Sequence, residues 1–223
     1  MTRFLILGAT GPSGIEFVRK TLDVYPDASI VIYARAPEKL PADLATHPAI
    51  TAVQGQLDEL DKVEASLAGV DVILSALGPG RGHTADTPIA RFHSSLLDLM
   101  HKHGVRRGLF LSTASHADPN DKWSWKFAAL VQGVKMFYPA AYADIVETSR
   151  VVVTKGAEDN LDLDYTLVRV PILTSADTEG VVAGYVGDGQ VGTVLARKAF
   201  AAFVVGEVGK REWVKKAPLI SNA

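Results

Sequence analysis

The chain has no cysteine among its 223 residues, which excludes disulfides and thiolate catalysis and fits a reducing compartment. Long hydrophobic runs are missing too. No apolar stretch approaches the length that spans a bilayer, and the N-terminal run from Phe4 to Leu7 stops at Gly8, too short for a secretory signal. Nor is there an excess of one charge. A formal net charge of -2 and a pI near 6.3 give no electrostatic footprint for nucleic acid. No internal repeat, linker or low-complexity stretch interrupts the chain, so one continuous domain over residues 1–223 is expected. No histidine has a partner at metal-site spacing, so no metal is expected, and His93, His101 and His103 read as surface or core-edge residues. Together these absences point to a cytoplasmic protein with a small-molecule partner and no nucleic-acid or membrane partner.

What is present begins at the N-terminus. Phe4, Leu5, Ile6 and Leu7 have the pattern of a strand covered on both faces, and they run straight into Gly8, Gly11 and Gly14 at G-x-x-G-x-x-G spacing. The first glycine permits a tight turn, the second lets backbone N–H groups approach a pyrophosphate, and the third lets the following helix pack closely. Pro12 suits a first helical turn, whose N-terminus offers partial positive charge to phosphates. This is where the first βα turn of a Rossmann unit belongs. The second strand, ASIVIYAR, ends at Arg35, twenty-one positions beyond Gly14, where such a unit meets the adenosine ribose. A carboxylate there would accept from a free 2′-hydroxyl. Arg35 instead offers a guanidinium to a 2′-phosphate, so NADP(H) is the expected cofactor, with a plain surface arginine as the alternative.

Strand three, ITAVQG, leads to Gln56 and Leu57 beside the adenine, with Asp58 as either a cofactor neighbour or an N-cap. Strand four, VDVILSALG, offers Ser75, Ala76, Leu77 and Gly78 to the cofactor, and the GPGRG cluster follows, where loop flexibility explains Gly80 and Gly82 as well as cofactor contact does. TPIARFHSSLLDLMHKHGV is an amphipathic helix, and RGLFLSTAS is strand five. Residues 116–141, leading to Tyr142, break the alternation with Trp123, Trp125, Phe127, Phe137 and Tyr138. This insertion either walls an apolar substrate pocket or packs as a satellite core. A helix over residues 142–161, strand six DYTLVRVPIL, and a helix VGTVLARKAFAAFVVGEV with Leu195, Ala199, Ala202 and Phe203 on one face follow; the tail KAPLISNA reads as a surface strand or coil. The expected architecture is α/β: a single Rossmann-type, doubly wound parallel sheet with a small substrate lobe built from C-terminal segments and the aromatic insertion.

The ordered set GATGPSG, YARAPEKL, QGQLDEL, DVILSALG, LFLSTAS and DLDYTLVRVPIL, with the long C-terminal helix, resembles the atypical short-chain dehydrogenase/reductase proteins of the NmrA-like and biliverdin-reductase-B-like group. The resemblance implies a cofactor at the carboxyl ends of the strands. Gly8, Thr10, Gly11, Pro12, Ser13 and Gly14 would hold the pyrophosphate, Arg35 the 2′-phosphate, Leu57 the adenine, and Ala76 and Leu77 the ribose and nearby groups. Pro171 and Ile172 would meet the nicotinamide carboxamide, and Ser112 and Thr113 match the place of the superfamily's orienting hydroxyl. The chain departs from that pattern where the wider superfamily has Y-x-x-x-K, since no tyrosine here has a lysine four residues on. Gly55-Gln56 also replaces the more usual G-D pair.

The expected function is an NADPH-dependent oxidoreductase passing a hydride to a flat or apolar acceptor: a flavin, quinone, tetrapyrrole or conjugated carbonyl. Its proton would come from Ser112, Tyr142, His116 or water. A non-catalytic NADP(H) sensor with a protein partner is the first alternative; an isomerase, cyclase or dehydratase on the same scaffold is the second.

Overall fold

The computed structural model describes residues 1–80, 82–158 and 161–223. The N-terminal apolar run becomes strand β1, Arg3–Leu7, and its side chains divide between two cores. Phe4 and Ile6 enter one while Leu5 and Leu7 enter the other, so every position of the run must be apolar. The alternation continues with helix α1 (Pro12–Val24), β2 (Ser29–Ala34), a short 3₁₀ turn, α2 (Ala42–Ala45), β3 (Ile50–Gln54), α3 (Leu60–Ser66), β4 (Val72–Ser75), α4 (Pro88–Lys102) and β5 (Arg107–Thr113). After these come α5 (Trp125–Phe137), α6 (Pro139–Gly156), β6 (Asp164–Val170), β7 (Ile172–Thr174), β8 (Val181–Gly184), β9 (Val194–Ala196), α7 (Arg197–Lys210) and β10 (Leu219–Asn222).

The main sheet has the order β3-β2-β1-β4-β5-β6-β10-β8. All its pairings are parallel except β10 with β8. The order reverses between β1 and β4, which opens a crevice beyond their carboxyl ends. Helices α1 and α7 cover one face, where Phe17 and Phe200 meet edge to face at 4.8 Å between ring centroids. Helices α3, α4 and α6 cover the other with Val63, Leu67, Phe92, Leu96 and Val152.

Several local expectations change. Val194–Ala196 is a strand paired with β7 rather than the start of a helix, in keeping with the β-branched Val191, Thr193 and Val194 before Arg197. The buried face of α7 is consequently Ala199, Phe200, Val204 and Val205, with Ala202 and Phe203 only half-buried. Strand six stops at Val170, because Pro171 has no N–H for the ladder, and Ile172 turns to pair with β9. The tail is not a surface element. Leu219 and Ile220 are fully buried in β10, between β6 and β8. Helix α6 runs Pro139–Gly156, starting before Tyr142 because Pro139 suits a first turn and ending at Gly156 with Ala157 as its C-cap, short of the expected Leu161.

The insertion is fastened to the sheet by a buried ion pair. Arg169 of β6 has no exposed surface and makes two hydrogen bonds to the Asp121 carboxylate, at 2.6 and 2.8 Å. It also donates to the carbonyls of Ala217 and His116. Asp121 in turn accepts the backbone N–H groups of Asp118 and Val186. Burial alone would raise the Asp121 carboxyl; the hydrogen bonds from Arg169 and the two amides hold it below its ordinary value. Replacing Asp121 by Ala would strand a buried guanidinium. The expected cost is about 3 kcal/mol, and an urea-unfolding midpoint unchanged from the wild type would refute the clamp.

Candidate cofactor site

The crevice at the reversal point is a cleft of about 920 Å³. Its floor is the turn after β1. Gly8 sits at φ +73°, and a β-carbon there would lie 2.9 Å from the Ala76 carbonyl carbon at the end of β4. A β-carbon on Gly14 would collide with the Gly8 carbonyl oxygen, so α1 packs directly on the turn through backbone. Gly11 forms the N-cap of α1, with no side-chain cap and no acidic residue in the first turn. The helix therefore presents free N–H groups and its positive end to the cleft, the environment an anionic pyrophosphate needs. These residues fit a dinucleotide phosphate.

Of the expected cofactor residues, Gly8, Thr10, Gly11, Arg35, Leu57, Ala76, Leu77 and Gly78 line this one cleft. Arg35 follows β2 on one flank and is exposed. Arg91, the other arginine among the described lining residues, is taken up by the Asp86 carboxylate at 2.7 Å, whereas Arg35 is offered to a ligand phosphate. Gln56 also lines the cleft, but its backbone is fixed by others. Its N–H donates to Glu59 at 2.6 Å and its carbonyl accepts from the Tyr33 hydroxyl at 2.6 Å. Glu59, not Asp58, is the N-cap residue of α3. The Tyr33 ring also explains Gly55, since any β-carbon there would run into it.

The remaining expected residues lie elsewhere. Pro12, Ser13 and Gly14 are in the first turn of α1, behind the lining. Pro171 is buried between β6 and β7, and Ile172 is half exposed; neither lines the cleft. Trp123, Trp125 and Phe127 border a separate hollow of about 400 Å³ with Gly187 and Thr193. Tyr138 borders neither space and is 67% exposed.

None of the three expected proton donors lines the cleft. Ser112 is fully buried, 2.7 Å from the Ser149 hydroxyl on α6. Ser149 donates its own hydrogen to the Ile145 carbonyl at 2.6 Å, so the Ser112 hydrogen is committed to Ser149. Thr113 holds the Ser115 N–H. His116 is half-buried, and burial first, then the Arg169 charge, lowers its imidazole below the ordinary value. Tyr142 is partly exposed on α6 with the Lys135 ammonium 5.7 Å from its ring centroid.

A residue not anticipated from the sequence does reach the cleft. His83, in the loop after β4, lines it and places Nε2 at 2.6 Å from the Asp144 carboxylate. Asp144 is fully buried on α6 and also accepts the N–H groups of Ile89 and Ala90, at 3.0 and 2.8 Å. One carboxylate thus caps the N-terminus of α4, where Thr87 supplies no side-chain cap, and orients an imidazole. The GPGRGH cluster marked the loop, but its partner stands sixty-one positions away, beyond any local signal.

His93 is likewise deeper than expected. Its Nδ1–H donates to the Ile89 carbonyl at 2.8 Å and its Nε2 accepts from the Ser75 hydroxyl at 3.2 Å, with the ring 1% exposed under the end of β4. Burial pushes its pKa down to about 4 from an ordinary 6.5. The unfolded chain therefore binds this proton more readily than the native one. Stability should fall as the pH drops from about 6.5 to about 4, reaching a loss of about 3 kcal/mol from this group. Urea unfolding across that range should show the slope in wild type, and His93→Gln should flatten it.

The model of the NAD(P)H-binding family matches residues 8–210. No curated protein sequence matches the chain. Among solved structures, a wide-type short-chain dehydrogenase/reductase from Veillonella parvula in complex with NADP superposes with a TM-score of 0.78 at 16% identity, covering 99% of this chain and 94% of that one. The oxidoreductase ylbE from Lactococcus lactis gives 0.76 at 20% identity, covering 100% and 91%. ChuY, an anaerobillin reductase from Escherichia coli O157:H7, gives 0.76 at 17% identity, covering 99% and 97%. At these identities the likeness is one of fold.

Proposed function

Since the chain belongs to the NAD(P)H-binding family, we propose that it is an NADPH-dependent reductase acting on a flat or apolar acceptor such as a flavin, quinone, tetrapyrrole or conjugated carbonyl. The observation that carries this reading is the convergence of the glycine turn, the open end of α1 and Arg35 on one cleft. When bound, the cofactor supplies the hydride; the protein's part is to hold and orient. The turn and the α1 N-terminus take the pyrophosphate, and Arg35 reads the 2′-phosphate. On the opposite flank Leu77, Ile89 and Phe92 offer an apolar wall. There His83, fixed through Asp144, is the imidazole positioned to pass a proton, in place of the committed Ser112. The tetrapyrrole class also agrees with the name of one structural neighbour, the anaerobillin reductase.

The second reading, a non-catalytic NADP(H) sensor, is favoured by the missing tyrosine and lysine pair and by the buried Ser112. The two separate on turnover. Purified protein should oxidise NADPH in the presence of flavin, quinone, biliverdin or enone acceptors. Tight cofactor binding without oxidation across that panel would select the sensor.

Arg35 carries its own test. NADPH should bind about tenfold or more tightly than NADH, about 1.4 kcal/mol, and Arg35→Ala should erase the difference by weakening NADPH alone. Equal affinities in wild-type calorimetry would refute the assignment.

A further inference from the structure

Residues 122–143 contribute nothing to the cofactor cleft, yet they hold an unusual share of the exposed apolar surface. Ten large apolar side chains are exposed among the described residues, and five of them, Trp123, Trp125, Met136, Phe137 and Tyr138, lie in this segment, including every aromatic one. Three exposed lysines, Lys122, Lys126 and Lys135, accompany them. No Asp or Glu occurs between Asp121 and Asp144, in a chain that has 25 acidic residues in all. The segment is locally cationic on a protein of net charge -2.

This exposure is built into the fold. The base of the segment is held by the Arg169–Asp121 pair and by the Lys122 N–H to the Val186 carbonyl at 2.7 Å. Phe127, 5% exposed, anchors α5 against Val186 and Leu219. Helix α5, about 20 Å long, is thus fixed at its first turn while most of its apolar surface and the Trp123–Trp125 edge stay outside. Exposed aromatic side chains gathered on one mounted segment mark an interaction surface.

We propose that this face is a peripheral docking surface for an anionic lipid bilayer. Tryptophan and tyrosine are suited to the headgroup boundary, where an apolar ring body and a polar edge are satisfied together. Lysines beside them favour anionic headgroups, whereas the cores of protein interfaces are depleted in lysine. This departs from the expectation of no membrane partner, which rested on the lack of a spanning run: the helix lies on the bilayer and does not cross it, and among the described residues no helix is long and apolar enough to do so. None of the residues of this face lines the cleft. Docking through it brings a cofactor-binding protein to the phase in which apolar acceptors concentrate, and the binding itself does not depend on which acceptor is used.

The test is co-sedimentation of the full chain with extruded vesicles of phosphatidylcholine alone and of phosphatidylcholine mixed with phosphatidylserine. Binding to the mixed vesicles should exceed binding to phosphatidylcholine and fall as salt is raised, with a blue shift of tryptophan emission. Trp123→Ser with Trp125→Ser should weaken binding about tenfold or more, and Lys126→Glu with Lys135→Glu should remove the preference for phosphatidylserine. All four positions are exposed, and an unchanged melting temperature and NADP⁺ affinity check that the variants fold. Absence of binding to the mixed vesicles, equal binding to both compositions, or undiminished binding by the double tryptophan variant would overturn the proposal. So would a dimer, seen by analytical ultracentrifugation, that the same double variant dissociates, because the face would then be covered by a second copy.

Discussion

Three stretches of main chain meet at the carboxyl end of β1 more closely than side chains allow, and the cleft depends on that approach. Gly8 lies against the carbonyl of Ala76, and Gly14 lies against the carbonyl of Gly8. One contact joins β1 to β4 across the reversal of strand order; the other draws α1 down onto the turn. A β-carbon at either position would push an element outward, and the helix N-terminus would no longer face the space between the strands. The surrounding residues then take their places by topology. Arg35 follows β2 on one flank, and Leu77 and His83 follow β4 on the other. The parallel sheet thus converts a short backbone motif into a polar floor with two chemically different walls.

The far side of the sheet obeys a different constraint. Beyond β6 the chain closes its sheet with β10, a four-residue segment from its very end, and with the antiparallel β8. Arg169 stands at this seam, parallel and in register with Leu219, and among the described residues its charge is met by Asp121 from the insertion. A buried guanidinium without that carboxylate would be costly, so completing the sheet and docking the insertion are one event. The rigid mounting of α5 follows, and with it the steady display of an aromatic, lysine-bearing face.

Legibility from the sequence followed the range of the interactions. The strand and glycine turn were readable because their cause lies within fourteen residues, and α4 because its apolar positions repeat at helical spacing. Arg35 was readable by its distance from the turn. Elements short enough to lack a period carry no such signal: β9 runs without a break into the helix behind it, and β10 has only four residues to show its burial. Long-range pairs left no local trace. Nothing near His83 announces Asp144, nothing near Thr87 shows that its helix is capped from α6, and nothing in LFLSTAS shows that Ser149 takes the Ser112 hydroxyl. Such contacts are made by packing, and a one-dimensional pattern does not contain them.

The buried serine pair bears directly on the chemistry. Helix α6 presents Ser149 towards β5, where it takes the Ser112 hydroxyl and passes its own hydrogen to the Ile145 carbonyl, so these hydrogen bonds close on themselves. A closed network of neutral hydroxyls stiffens the strand end but has no proton or charge to lend to the cleft. The same helix reaches the cleft wall through Asp144, which ties down the start of α4 and holds His83. Helix α6 therefore has two tasks, sealing the end of β5 through Ser149 and supporting the cleft wall through Asp144.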